Sequence, residues 1–366
     1  MISPQSEWQP QWSVSPGDIL AEELETRGIN QSELARRMGR PQKTINEIVN
    51  AKSAITPDTA LQLEFVLGIS AKLWLALESD YRTSLARNRA LSEMEPQTGW
   101  ARRFPLADLR RYDLIESEAS GGELVAALLR FFGVGSVSAF NSRWANPVAA
   151  FRHSPSFVSD DLALAAWLRW GERLAADTKT QPFEREHLLE VLRLARPTTR
   201  EEPLSDVLEE LQELLAGCGV VLALTPGFAG TRVSGCTRWL GPKRALIQLS
   251  MRYKRDDQLW FTLYHEASHL LERRRGDYLD GEEEGSEEEG SEESEEARAD
   301  QRARDLLIDP QAYANFVEAG AFTEETVRAF ADANEIAPGI VVGRLQFDDH
   351  VGRSKLNHLK KPARWI

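Results

Sequence analysis

Two histidines four residues apart with a glutamate between them, His265-Glu266-Ala267-Ser268-His269, restrict this chain more than any other part of it. On an α-helix that spacing stacks both imidazoles on one face and turns the glutamate toward the same cleft. Neutral imidazoles bind zinc, and a carboxylate beside the metal can accept a proton from an activated water. A helix that carries a metal has to be rigid and partly dry, and residues 259–264 and Leu270-Leu271 on either side are strongly apolar. The chain has only six histidines, so a chance occurrence of this pattern is expected at about the one-in-a-hundred level. The bland reading of the same residues is a core helix with two hydrogen-bonded histidines.

A hydrolytic zinc site needs a third protein ligand and an open fourth position. The next helical stretch, residues 295–307, offers Glu296 and Asp300 one turn apart. Glu296 is the candidate third ligand, and Asp300 the acceptor that fixes the outer nitrogen of a ligand histidine. Glu295 or Glu292 replaces Glu296 if the register slips, and two acids at this spacing also suit a solvated helix face. Tyr264, Arg344 and His350 are of the types that steady an oxyanion or contact a substrate. Each is also an ordinary structural residue.

The helix through residues 260–271, the later Glu296-x-x-Ala299-Asp300 and the ending Leu306-Leu307-Ile308-Asp309-Pro310 resemble the ImmA/IrrE family of zinc metallopeptidases. The resemblance covers roughly residues 204–361. It implies a zincin-like domain, a Zn2+ cofactor held by His265, His269 and Glu296, and cleavage of a repressor-like protein during stress, mobile-element induction or phage attack. Two departures stand out. Arg302 replaces the usual aromatic residue, and an acidic insert separates the two metal helices, which bears on how the second helix packs.

The formal charge of −13 is local. Residues 280–296 hold 11 acidic side chains and no basic one, while outside them 44 basic side chains face 46 acidic ones. This repetitive Glu/Gly/Ser run reads as a solvated loop, 280–294, between the metal helices. The cysteines, Cys218 and Cys236, are too few for a disulfide framework and read as packing residues. With no signal peptide or long apolar span in evidence, a cytoplasmic address is the expectation.

The amino-terminal third has a different logic. Asn30 and Glu33 read as an N-cap and capping-box pair, Gly39 allows a tight turn, and Pro41 suits the start of a second helix. In that second helix Ile45, Ile48 and Val49 face inward, while Gln42, Lys43, Thr44 and Asn46 face out. Small Ala35 permits a close crossing. This is a helix-turn-helix whose second helix suits the major groove. Residues 31–52 carry five basic and two acidic side chains, as a phosphate-contacting surface requires. Arg40, Gln42, Lys43, Thr44 and Asn46 are the DNA-binding candidates, the amides being suited to adenine. Val14-Ser15-Pro16-Gly17-Asp18-Ile19-Leu20, Gln31-Ser32-Glu33-Leu34-Ala35, Ile45-Asn46-Glu47-Ile48 and Thr56-Pro57-Asp58-Thr59-Ala60 resemble the HigA-type antitoxin branch of the Xre regulators, to about Tyr81.

Between these ends, residues 124–132, 159–176, 184–194 and 204–215 show helical spacing. Residues 87–111, with Pro96, Gly99 and Pro105, read as a linker. Trp167 and Trp170 read as core. Residues 220–224, 232–240 and 244–250 read as short strands, one of which can align an extended peptide beside the cleft, and residues 340–346 as a closing helix or strand.

The expected fold class is mainly α with a small α+β domain: an N-terminal helix-turn-helix bundle, a helical middle region and a C-terminal zincin-like domain with a short β-sheet. The expected domains are 1–85, a linker 86–111, 112–203 and 204–366. The expected partners are operator DNA, a protein substrate and a second copy of the chain, with no membrane. The functional expectation is a DNA-binding regulator joined to a zinc endopeptidase, with Glu266 as general base. The alternative is a DNA-binding antitoxin or repressor whose metal domain senses or binds without proteolysis.

Overall fold

A computed structural model of the chain describes residues 14–152, 160–250, 252, 254–272 and 291–363. They fall into two compact units, residues 1–99 with 119–126 and residues 100–118 with 127–366.

The first unit is built from α1 (Pro16–Thr26), α2 (Gln31–Met38), α3 (Gln42–Val49), α4 (Pro57–Leu67) and α5 (Ala71–Met94). Leu20, Leu34, Ile45, Leu63 and Trp74, one from each helix, are fully buried in a single core. The Ser15-Pro16-Gly17-Asp18 segment has a physical reading at every position. Ser15 accepts from the Asp18 amide at 3.0 Å while the Asp18 carboxylate accepts from the Ser15 amide at 3.1 Å, a full capping box. Pro16 fills the first turn, where no amide donor is needed. A Cβ on Gly17 would overlap the carbonyl oxygens of Ile48 and Val49, so its absence lets α1 lie against the end of α3. The box expected at Asn30 is only half formed. Asn30 accepts from the Glu33 amide at 2.9 Å, but the Glu33 carboxylate pairs instead with Arg36 and Arg37.

The second unit holds most of the remaining elements: α6 (Thr98–Ala101), which straddles the division, α7 (Leu106–Arg111), α8 (Gly121–Phe132), which also straddles it, α9 (Val137–Arg152), α10 (Asp161–Asp177), α11 (Arg185–Thr198) and α12 (Leu204–Gly217). After these come β1 (Val220–Leu224), β2 (Gly235–Gly241) and β3 (Arg244–Leu249), then α13 (Asp256–Glu272), α14 (Ser291–Leu307), α15 (Pro310–Ala319), α16 (Glu324–Ala333) and α17 (Pro338–Phe347). The expected linker at 86–111 is instead largely helical. Pro96 sits in the first turn of a short 3-10 helix and Pro105 caps α7, positions where proline starts a helix as readily as it stops one. The expected loop at 280–294 also ends earlier, because α14 begins at Ser291. Residues 280–290 and residue 159 lie outside the described residues.

A long apolar span does exist, contrary to expectation. Gly121–Trp144 is long and apolar enough to cross a membrane, but the chain breaks it into α8 and α9. Phe132, Phe140 and Trp144 are buried, and Phe132 and Phe140 pack edge-on or tilted against Phe104. Trp167 is fully buried as expected, its ring N–H donating to the Thr225 carbonyl, whereas Trp170 is half-buried and stacks on Phe228.

The sheet order is β1-β3-β2, with β1 parallel and β2 antiparallel to the central β3. Both outer strands leave an edge, and α13 lies against β2 and β3. Trp260, Leu263, Tyr264, Ala267 and Leu270 give α13 a fully buried face. Its first turn is pinned by two buried acids. Asp256 accepts from the Lys361 amide at 2.9 Å, and Asp257 pairs with the Lys360 ammonium at 2.6 Å. Burial pushes Asp256 up to about 6.

Gly17→Ala forces α1 away from α3 and is expected to destabilise the first unit by about 1–3 kcal/mol, whereas Ser15→Ala removes one cap and costs about 1 kcal/mol. Urea unfolding followed by circular dichroism ranks the two. Equal, negligible effects would refute the close-approach account.

Candidate metal centre and nucleic-acid interface

α13 and α14 run antiparallel, and their packing explains how residues 26 or more apart in sequence meet. Ala299 and Ala303, both fully buried on α14, allow close approach to α13. Glu272 near the end of α13 lies 3.8 Å from Arg298 and 3.9 Å from Arg302. Arg302 therefore makes a charge contact to the facing helix.

On the adjacent stripe, His265, His269 and Glu296 converge. His265 Nε2 lies 3.1 Å from His269 Nε2 and 3.3 Å from a Glu296 oxygen, and His269 Nε2 lies 3.5 Å from the other Glu296 oxygen. This is the grouping with metal-ligand geometry among the described residues. Asp300 Oδ1 sits 2.8 Å from His265 Nδ1. With that nitrogen donating to Asp300, the His265 Nε2 carries a lone pair. Three lone-pair-bearing groups then face one another, which is favourable only with a cation or a proton between them. A tetrahedral ion with ligands at about 2.0–2.1 Å spaces them about 3.3–3.4 Å apart, and the observed separations bracket that value. The residues fit zinc.

The electrostatics point the same way. Burial opposes charge on His265, but its hydrogen bonds to Asp300 and Glu296 outweigh that and push it up to about 10. Positive charge is thus favoured where a cation would sit. Burial and the neighbouring His265 lower His269, and the hydrogen bond with His265 lowers Glu296. The Glu296 side chain is 61% exposed, so the centre is open to solvent on that side. Glu266 is buried, and burial pushes it up to about 7 against the opposing effect of His265.

The residues that hold Glu266 in place were not legible in the sequence. Thr237 Oγ1 on β2 donates to the Glu266 carbonyl at 2.8 Å. A Cβ on Gly235 would lie 3.0 Å from the Glu266 side chain and closer still to Thr262, so this glycine lets β2 reach the helix. Only the strand expected here pointed to them.

Three candidates do not join the centre. Tyr264 is fully buried and donates to the Leu192 carbonyl at 2.6 Å, facing away into the core. Arg344 pairs with Asp348 at 2.6 Å and stacks over the Tyr313 ring. His350 is exposed and packs beside Tyr313 and Phe322. All three have structural partners, the outcome the sequence also allowed.

In the first unit, α3 presents Gln42, Lys43 and Asn46 to solvent and keeps Thr44 half-buried, with Ile45 and Ile48 inward. The amides are tied to α2: Ser32 Oγ donates to Gln42 Oε1 at 3.1 Å and Asn46 Nδ2 to Gln31 Oε1 at 3.2 Å. Arg40 is half-buried, its Nε donating to Gln62. Lys43 is 85% exposed and 3.8 Å from Glu47. Gly39, at φ 65°, makes the left-handed turn between α2 and α3.

Comparison with known proteins finds a match to the family described as helix-turn-helix over residues 20–74. An uncharacterized HTH-type transcriptional regulator of Escherichia coli, YddM, is 36% identical over 64 residues, spanning 18% of this chain and 68% of that protein. Virulence-associated protein A of Dichelobacter nodosus is 35% identical over 74 residues, 20% of this chain and 72% of that one. A solved HigA-family addiction module antidote protein from Coxiella burnetii is 32% identical over 23% of this chain and 91% of its own, with a TM-score of 0.21.

Asp300→Ala removes the partner that orients His265 and should weaken divalent-metal binding about 10–100-fold without unfolding the domain. Competition with a chelating dye measures it. An unchanged affinity would mean that the two residues are not coupled.

Proposed function

The chain belongs to the helix-turn-helix family of DNA-binding transcriptional regulators through residues 20–74, and from that premise we propose that it is a regulator joined to a zinc-dependent endopeptidase. The observation that carries the second half is the convergence of His265, His269 and Glu296 at 3.1–3.5 Å beside the buried Glu266. His265, His269 and Glu296 would hold the ion, and zinc bound there supplies Lewis-acid polarisation of a scissile carbonyl and of water.

The chain's own residues do the rest. Asp300 fixes the His265 ring and its tautomer. Glu266, raised toward neutrality by burial, takes a proton from the attacking water and returns it to the departing amine. Thr237 ties the backbone of Glu266 to β2, an edge strand suited to pairing with an extended peptide. The substrate class implied by the ImmA/IrrE resemblance is a repressor-like protein. Action on a separate protein is favoured over self-cleavage at 86–111, because helices there withhold the extended backbone that a peptidase needs. The resemblance also links such cleavage to stress, mobile-element or phage responses, in the cytoplasm where the operator lies.

For the first half, operator recognition by a homodimer follows the general geometry of the motif, with half-sites about one helical turn apart. Arg40, Gln42, Lys43, Thr44 and Asn46 form the contact set. The second reading, an antitoxin or repressor whose metal domain binds without turnover, has in its favour that the family match rests on residues 20–74.

Two measurements test the proposal. Glu266→Gln should retain about one zinc per chain yet abolish proteolysis of repressor-like proteins, read by mass spectrometry of new chain termini after incubation with lysate. His265→Ala with His269→Ala should lose the metal. Equal fragment yields from wild type and Glu266→Gln would favour the second reading. In gel shifts, Lys43→Ala should weaken all duplexes and flatten the salt dependence, while Asn46→Ala should relax base preference by about 1–3 kcal/mol. A wild type that binds its promoter no better than random duplex would remove sequence-specific regulation.

A further inference from the structure

The facing stripes of α13 and α14 form rungs, His269 with Glu296 and then His265 with Asp300. One turn further along both helices the next rung is Phe261 and Arg304, and there α13, α14 and α17 part around a cavity of about 250 Å³. Its walls are mainly apolar: Phe261, Leu307, Ile308, Ile340 and Phe347. Three charged residues border it. Asp257 is neutralised by Lys360 at 2.6 Å and Arg344 by Asp348 at 2.6 Å. Arg304 differs from both: its guanidinium lies over the Phe347 ring at 4.8 Å, its Nε is buried without a hydrogen bond, and it has no ion-pair partner among the described residues.

A concave apolar site with one uncompensated guanidinium is matched to a ligand with an apolar body and a single carboxylate, since burying an unpaired charge costs more than pairing it. The volume lies just below the range usual for ligand pockets, about 300–1,000 Å³, which restricts the occupant to a fragment-sized group. Phe347, 60% exposed at the rim, leaves an aromatic face available to cover it.

We propose that this cavity binds a small apolar carboxylate, its acid group on Arg304 and its body against Phe261, Ile308 and Ile340. The same chemistry is presented by a free aromatic or branched-chain acid and by the carboxy-terminal residue of a peptide that ends in a large apolar side chain. Phe261 also neighbours His265, with ring centroids 6.1 Å apart, so the occupant sits beside the candidate metal centre, but its binding does not require hydrolysis there.

Isothermal titration of the full-length protein tests this with 4-phenylbutyrate, its amide, and N-acetyl-Leu-Phe with a free carboxylate. The expected result is a Kd in the range of about 0.1–1 mM for an acid, loss of about 10–100-fold for the amide, and a similar loss in Arg304→Gln, whose fold is checked by circular dichroism. Tighter binding of 4-phenylbutyrate would identify a free acid as the source, and tighter binding of the peptide a chain terminus. The proposal is overturned if neither acid binds at about 5 mM, if the amide binds as well as the acid, or if a folded Arg304→Gln binds as tightly as wild type. The acid-against-amide comparison in the wild type decides the matter even if the variant does not fold.

Discussion

The antiparallel contact between α13 and α14 is the constraint on which the second unit's chemistry depends. Alanines at 299 and 303 set how closely the helices approach, and everything polar on the neighbouring stripe inherits that distance. With larger residues there, Glu296 could not come within 3.3 Å of His265, nor Asp300 within 2.8 Å. A stripe of small buried residues therefore fixes a stripe of ionisable ones, rung by rung. Two further supports keep the geometry from drifting. The start of α13 is held by the Asp256 and Asp257 contacts with the chain near Lys360 and Lys361, and its middle is held to β2 through Thr237 and Gly235.

Much of this could be read from residue order, because local rules act over short spans. A pair of histidines at i and i+4 requires only one helical turn, and the spacing of Glu296 and Asp300 requires only another. Strand positions 220–224 and 244–250 were legible from β-branched and apolar runs, and the structure places strands at Val220–Leu224 and Arg244–Leu249. The failures came where a residue type has two uses. Pro96 and Pro105 stop helices in their interior but start them at the first turn, so the segment expected as a linker is mostly helical. Glu33 had two offers, a cap or two arginines, and took the arginines. Contacts set by tertiary approach had no local signature. The threonine that reaches Glu266 stands 29 residues away, and only the strand expected at 232–240 pointed to it.

The amino-terminal unit shows how a family pattern reduces to physics. Its serine, proline, glycine and aspartate at 15–18 are a cap, a helix start, a close approach and the second half of the cap. A short run of ordinary residues thus fixes both the start of α1 and its contact with α3. By the same logic Gly39 is needed for its backbone conformation, not for its size.

The side-chain ties between α2 and α3 carry a kinetic consequence. Gln42 and Asn46 are held by Ser32 and Gln31 in the free protein, so in the proposed base contacts they would lose little rotamer freedom. Each tie must be exchanged for a bond to a base, and a wrong base gives nothing in return. The encounter itself, driven by charge along the phosphates, is then nearly blind to sequence. On the proposed recognition by these two amides, discrimination would fall to residence time, with the longest stay where both find a better partner than the one they left.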